Sequence, residues 1–290
     1  MTRAPLHPIT MPSVHHLTDP APPCPQEDER LDRVNEQLLL IQKKNGLTFG
    51  TDAFLLSAFV TPQPRCCAVD LGSGTGIVSL LLTVKKKIRR CYAVEIQPSY
   101  AELTGRNARA NGLEEQVIPV CCDLRDLNAG DLPEMPRLIV SNPPYQKPGT
   151  GMTNRDAGKE IARHELFGGI EDFCACAGRL LQDGGHFVSV WRPERLTELF
   201  SALHAHRLEP KRIVFVHADN HLPPCAVLTD AVRSAAPGLR VLPPLFLYEP
   251  LADGETCRTR KMTPEAEAVY RTCSFPEPSR RTAQKKKPII

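Results

Sequence analysis

Asn142-Pro143-Pro144-Tyr145 is the segment whose residue types point most directly to chemistry. The exocyclic amine of an aromatic base such as adenine is a poor nucleophile, because its lone pair is delocalised into the ring. The side-chain oxygen of Asn142 and the carbonyl of Pro143 can each accept one N–H bond of that amine. This draws the nitrogen toward tetrahedral geometry and aims its lone pair at an electrophilic methyl. Prolines fix φ and remove backbone donors, so the loop is stiff and presents acceptors. Tyr145 offers a face on which the base can stack. Positioning and alignment supply most of the rate in such a scheme, and no strong base is required. A protein glutamine amide presents the same pair of N–H bonds, so the four residues alone leave base and amide open. In isolation they also describe an ordinary Pro-Pro turn at a strand end.

A second motif lies upstream. Val69-Asp70-Leu71-Gly72-Ser73-Gly74-Thr75-Gly76 runs an apolar stretch into alternate glycines and then into a helical pattern. Glycines let the backbone turn tightly and approach a ligand without a Cβ in the way. The dinucleotide fingerprint is Gly-x-Gly-x-x-Gly; the Gly-x-Gly-x-Gly spacing here departs from it. The acidic residue just before the loop suits a cationic ligand better than a pyrophosphate. Glu95, about 20 residues beyond the loop, stands where a carboxylate can take both ribose hydroxyls of a nucleoside. Asp123 is the analogous acceptor for an adenine amino group, with Asp126 its competitor.

Elements that could position these residues follow from hydrophobic periodicity. The pattern predicts strands at 66–71, 90–96, 117–122, 137–141 and 186–191, and helices near 52–60, 76–84, 98–111, 170–181 and 193–206. Gly112 is placed as a left-handed helix cap. Strands at 212–217 and 226–232, joined by a short loop, read as an antiparallel hairpin added at one edge. Strands alternating with helices imply right-handed crossovers and a doubly wound, mostly parallel α/β sheet of seven strands, Rossmann-like in type. Ligands of such sheets bind at the carboxyl ends of the strands. Each motif above falls at such an end.

In domain terms the expectation is a Pro-rich extension over 1–28, a helical segment lidding the site over 29–64, the catalytic domain over 65–250, and a helix with a basic tail over 251–290. Arg30, Leu31, Val34, Leu38 and Leu39 suggest a short amphipathic element. Apolar residues make up 41% of the 290 and charged residues 24%, enough to bury a real core and to exclude wholesale disorder. No apolar run approaches membrane-spanning length and no signal-like segment opens the chain, so a cytosolic protein without membrane contact is expected. Eleven cysteines occur without any Cys-x-x-Cys pair; reduced, mostly buried thiols and no metal site are expected, with Cys66-Cys67 and Cys121-Cys122 both inside strands. Oligomeric state leaves no signature. The net charge of +3 is mild, but Lys85-Lys86-Lys87 with Arg89-Arg90, and Arg280-Arg281 with Lys285 to Lys287, form basic blocks. The stretch from Gln146 to Glu165 is long for a strand-to-helix connection. Its Lys147, Arg155, Lys159, Arg163 and His164 read as a clamp for phosphates and a flipped base.

Taken together, Asp70 to Gly76 with Asn142 to Tyr145 resembles the class I S-adenosylmethionine-dependent methyltransferases of the amino-methylating type. Phe49-Gly50-Thr51-Asp52-Ala53-Phe54-Leu55-Leu56, Ile161-Ala162-Arg163-His164-Glu165 and Trp191-Arg192-Pro193-Glu194-Arg195-Leu196 resemble, more narrowly, the bacterial tRNA1(Val) adenine-N6 methyltransferases. The resemblance spans roughly 29–270. It implies S-adenosylmethionine as cofactor and tRNA as partner, with the methylated adenine immediately 3′ of the anticodon. It also implies Gly72, Ser73, Gly74 and Gly76 around the cofactor, Glu95 with Ile96 at its ribose, and Asp123 with Leu124 at its adenine. Thr51, within 49–52, would close over the methionine end, and Asn142 to Tyr145 would form the catalytic loop. Competing expectations are methylation of a glutamine amide in a protein such as a release factor, methylation of DNA adenine, and a non-catalytic RNA-binding module. No target-recognition domain for DNA accompanies the core, and decay of the fold would be expected first at the intact Asn142 to Tyr145.

Overall fold

The computed structural model describes residues 24–45, 50–143, 168–250 and 260–275. An antiparallel ribbon, β1 (Glu29–Asn35) and β2 (Leu38–Lys43), comes first, and α1 (Thr51–Phe59) follows. The core then alternates β3 (Cys67–Leu71), α2 (Ile77–Val84), β4 (Arg90–Glu95), α3 (Pro98–Ala110), β5 (Val117–Cys121), β6 (Leu138–Ser141), α4 (Ile170–Leu180), β7 (His186–Trp191) and α5 (Leu196–Ala205). The long strands β8 (Leu208–His217) and β9 (Pro224–Arg233) follow, then two-residue strands β10 (Arg240–Val241) and β11 (Leu245–Phe246), and α6 (Pro264–Thr272). Across the main sheet the order is β10-β8-β9-β7-β6-β3-β4-β5, with β11 also beside β8. Strands β3 to β7 are parallel, while β9 slots antiparallel between β7 and β8. The seven expected strands are present, and β10 and β11 add parallel pairs to β8.

Central strands read as unbroken apolar runs because helices cover both faces. On β3, Ala68 joins the core under α1, α2 and α6, whereas Cys67, Val69 and Leu71 join the core under α4 and α5. Edge strand β5 alternates instead, so Cys121 is exposed and Cys122 half-buried, against the expectation that this pair lies inside. Gly112 does end α3 in the left-handed region, at φ +64°. Its N–H bonds Arg109 O and that of Leu113 bonds Ala108 O, the paired closure of a Schellman cap.

The segment over 29–43 differs from the expected amphipathic, helical element. Asn107 on α3 and Asn111, the residue that caps its C-terminus one turn on, each bond both the N–H and the C=O of a β2 residue, Ile41 and Leu39 respectively. These amides act as a surrogate neighbouring strand, satisfying an edge that helix formation would otherwise have to satisfy.

Candidate active site

In register, Leu71 of β3 pairs with Val94 of β4 and with Ser141 of β6. Gly72, Glu95 and Asn142 therefore leave three adjacent strands at one level, with strand axes roughly 4.8 Å apart. Ser141 Oγ donates to Leu71 O at 2.8 Å and ties the β6 end to the glycine loop.

The loop is folded by its neighbours. The N–H groups of Gly72 and Ser73 both donate to Val94 O, and that of Gly76 to Ser73 O. From α3, Thr104 Oγ1 donates to Gly74 O at 3.0 Å and Asn107 Nδ2 to Thr75 O at 3.0 Å, so the loop's carbonyls are held down. Gly76 sits at φ +80°, and a Cβ there would meet Thr104 Cγ2 at 2.7 Å. Gly74, at φ +55°, is the opposite case: a Cβ there meets nothing within 4 Å, so its missing side chain opens onto free space. Helix packing sets one glycine, and room for a ligand suits the other.

Glu95 faces the same space. Its carboxylate, buried, accepts Gly74 N–H at 3.0 Å on one oxygen and Gln97 N–H at 2.9 Å on the other, which leaves a lone pair on each for hydroxyls. Asp70, only 2% exposed, turns the other way and accepts Ser79 Oγ at 2.7 Å and Ser79 N–H at 3.2 Å. Burial pushes its carboxyl up to about 6, with the nearby Glu95 charge adding to the rise and Ser79 opposing it. Asp123 is closed off by its own neighbourhood: Arg125 donates Nε to both carboxylate oxygens at 2.9 Å and its backbone N–H to one, and this holds the Asp123 carboxyl below its ordinary range. Leu124 is buried among the side chains packed under α4, and Ile96 is half-buried.

Among the described residues, Asn142 Oδ1 is buried without a hydrogen-bond partner, and so is Ser73 Oγ in the glycine loop. Buried polar atoms are almost always paired; these two flank the cradle, while Ser189 Oγ and Thr229 Oγ1, paired in register across β7 and β9, are also without a partner. Pro143 is buried next to Asn142. Pro144 and Tyr145, and the proposed clamp residues Lys147, Arg155, Lys159, Arg163 and His164, lie outside the described residues.

Thr51 opens α1 and is hydrogen-bonded to the Tyr270 side chain, whose ring lies 5.2 Å from Phe54. Burial raises the Tyr270 hydroxyl to about 12 and also raises the Asp52 carboxyl, which the Arg192 charge partly offsets. The sequence placed Asp52 only within the closing segment 49–52 and did not single out Tyr270; nothing local marks a tyrosine more than 200 positions downstream as a support for α1.

One expected basic face is dismantled by the structure. Lys87 is 2% exposed, and its ammonium donates to Ser57, Ala58 and Val60 carbonyls at 2.7 to 3.1 Å, capping α1 from inside. Arg89 and Arg90 both pair with Glu134, and Lys85 bonds Gln37. An alternation of buried and exposed cations cannot be told from a solvated run by composition alone. The buried Cys66 and Cys67 thiols are pushed up to about 11 and about 12 by burial. The second block, over 280–287, lies outside the described residues. Among the described residues no helix is long and apolar enough to cross a membrane.

A parallel sheet in this order, with an inserted antiparallel strand and a glycine cradle at its carboxyl rim, is the fold of the class I methyltransferases. Among solved structures, a predicted O-methyltransferase from Agrobacterium tumefaciens superposes with TM-score 0.60 at 20% identity, over 78% of this chain and 98% of that one. TYW2 of P. horikoshii, solved with MeSAdo, gives 0.50 at 16% identity over 72% and 73%. The family model described as the TRM5/TYW2 methyltransferase domain matches residues 61–145. A tRNA1(Val) (adenine(37)-N6)-methyltransferase of Porphyromonas gingivalis is 30% identical over 188 residues, 62% of this chain and 72% of that protein. Its namesake in Aeromonas hydrophila is 33% identical over 144 residues, 49% and 58% of the two chains. The chain belongs to the tRNA1(Val) (adenine(37)-N6)-methyltransferase family.

Proposed function

We propose that this chain uses S-adenosylmethionine to methylate N6 of an adenine in tRNA, at the position 3′ of the anticodon. The observation that carries the reading is the buried, unpaired Asn142 Oδ1 at the end of β6, level with the glycine loop. The cradle fits the cofactor. Open space above Gly74 admits the nucleoside, the second lone pairs of the Glu95 carboxylate suit its ribose hydroxyls, and Ser73 Oγ is a spare donor. Asp123 can receive the adenine amino group once Arg125 turns aside, and Thr51 at the head of α1 borders the methionine end. When bound, the cofactor supplies an electrophilic methyl carried on a sulfonium.

The chain's own residues do the rest. Asn142 Oδ1 and the Pro143 carbonyl accept the two N–H bonds of the target amine, which localises its lone pair and holds it in line for attack. Such acceptors are worth most in a water-poor site, where they are fixed before the reaction begins. Asp70 places negative charge beneath the loop, at a distance imposed by Ser79, and favours a cationic ligand over a neutral product.

The test is transfer of labelled methyl to unmodified total tRNA, with release-factor protein and duplex DNA as parallel acceptors and nucleoside analysis of the product. The expected outcome is N6-methyladenosine in tRNA. Label in the protein instead would assign the same two acceptors to a glutamine amide and overturn the tRNA reading.

A further inference from the structure

The rim that carries Asn142 continues across β7, β9 and β8. Ser141 pairs with Ser189 of β7, Trp191 at the end of β7 pairs with Val227 of β9, and His217 at the end of β8 pairs with Pro224. The β8–β9 turn over 218–223 therefore stands on the same side of the sheet as the acceptor. With strands about 4.8 Å apart and about 3.3 Å per residue, it is offset roughly 10–14 Å across the strands and, because β9 runs four residues past the level of Asn142 before the turn, about 13 Å along them, about 18–20 Å in all. Arg192 sits between them and donates to Cys225 O at 3.1 Å, joining the β7 end to the base of the hairpin.

This turn is firmly built. The Asp219 carboxylate accepts the N–H groups of His221 at 2.8 Å and Leu222 at 3.1 Å, and pairs with Arg260 at 2.7 Å with both side chains largely buried. His217 Nδ1 bonds Leu222 O at 2.9 Å, and its ring lies 5.2 Å from Phe246. Withdrawing an ion pair from water is costly. Among the described residues the tip it supports is open: Asn220, His221, Leu222 and Pro223 are all exposed, Leu222 to 46%. A rigid support under a bare apolar tip is the arrangement of a contact surface, since a turn with no task could be polar and loose.

We propose that His221 and Leu222 form a platform for an unpaired base of the RNA that flanks the target adenine. The position fits: at about 18–20 Å from Asn142 the platform is within reach of a nucleotide a few positions along the same loop, and Arg192 puts a cation between the two points. Single-stranded loops are recognised chiefly by bases splayed onto flat or apolar side chains. The inference rests on the tRNA reading above and adds to it a contact for a base that is not methylated.

The experiment compares wild type with His221→Ala/Leu222→Ala on unmodified tRNA, measuring KM and kcat for methyl transfer, dissociation constants for a labelled anticodon arm and for S-adenosylmethionine, and Tm. Loss of one stacked base predicts a KM and an RNA dissociation constant raised roughly 5- to 50-fold, with kcat, cofactor affinity and Tm changed less than twofold or by less than a degree or two. His221→Phe, which keeps a stacking face, should hold KM near the wild-type value. Unchanged RNA affinity in the double variant would overturn the platform while wild-type methylation of tRNA leaves the function standing. So would a fall in kcat accompanied by a fall in Tm, which would make the tip structural. If wild type neither binds nor methylates tRNA, the function and the platform fall together.

Discussion

Replacing Asn142 by Ala should make the free protein more stable and nearly inactive. A buried polar atom left without a partner costs about 1–3 kcal/mol relative to a paired or absent one. Oδ1 of Asn142 is in that position, at the end of β6. Alanine removes the orphan; because the residue is only half-buried, little packing goes with it. A net gain of about 1 kcal/mol is expected, which for a domain of this size raises Tm by about 2–4 °C. The effect on turnover runs the other way. Deleting one preorganised hydrogen-bonding group from a transition state typically costs about 100- to 1,000-fold in kcat, whereas cofactor affinity should stay within about threefold because the amide serves the acceptor. Thermal melts of the free protein, single-turnover methyl transfer to tRNA, and calorimetric titration of S-adenosylmethionine separate these effects. A variant that melts several degrees lower while losing activity would show that Asn142 holds the loop together. A variant that keeps its turnover would show that its oxygen is not the acceptor the reaction uses.

Further expectations come from the charges around the cradle. Asp70 has its carboxyl raised from 3.8 to about 6 by burial, so the folded state holds that proton more tightly than the unfolded chain; the resulting stability is complete below pH 4 and is lost as pH rises through 6. Asp70→Asn, which keeps an acceptor for Ser79, should therefore stabilise the protein by up to about 3 kcal/mol at pH 7.5 and hardly at all near pH 4; equal effects at both would refute a buried ionised Asp70. Arg125→Ala should tighten S-adenosylmethionine binding a few-fold by releasing Asp123, while Glu95→Ala should weaken it about tenfold or more by removing charge-assisted bonds; a weaker complex in the arginine variant would mean that Arg125 itself touches the cofactor. Lys87→Met should lower Tm by several degrees at pH 7.5, because the carbonyls of Ser57, Ala58 and Val60 lose their donor. Burial holds the Lys87 ammonium near 8 instead of 10.5, so the unfolded chain binds the extra proton between those values, and wild type should gain stability over this variant as pH climbs from 8 to 10; a constant gap would refute the depressed pKa.

How far the sequence carried the fold depends on where each element's partners lie. The parallel strands and their helices were legible because their signals are local: β3 is an apolar run broken only by Asp70, Gly112 closes the helix it follows, and Asn142 leaves a strand whose end is marked by two prolines. The ribbon over 29–43 was not, since it is a strand pair on account of Asn107 and Asn111, about 70 residues away, whose amides complete an edge that Leu38 to Lys43 cannot complete for itself. Lys87 shows the same dependence. Read in series it belongs to a basic run, but the α1 carbonyls that bury it belong to a helix that ends 28 positions earlier.

The site divides along the same line, and the division has a chemical sense. Gly72, Gly74, Glu95 and Asn142 could be read out as a set because each must follow a strand of the parallel sheet directly, where register alone brings them level. What tunes them comes from across the fold: Ser79 turns Asp70 under the loop, Thr104 and Asn107 hold the loop's carbonyls away from the ligand, and Tyr270 steadies the head of α1. None of these tuning residues needs a particular spacing in the chain, only a surface that packs at the right place. The two orphaned oxygens, Ser73 Oγ and Asn142 Oδ1, are where the two sets meet. A cradle whose Gly74 and Thr75 carbonyls are both held by α3, yet which leaves these two oxygens unpaired at its lip, would hold part of its stability in reserve for the proposed cofactor and amine. It follows that both ligands together should raise Tm by more than S-adenosylmethionine alone, since each satisfies a different atom.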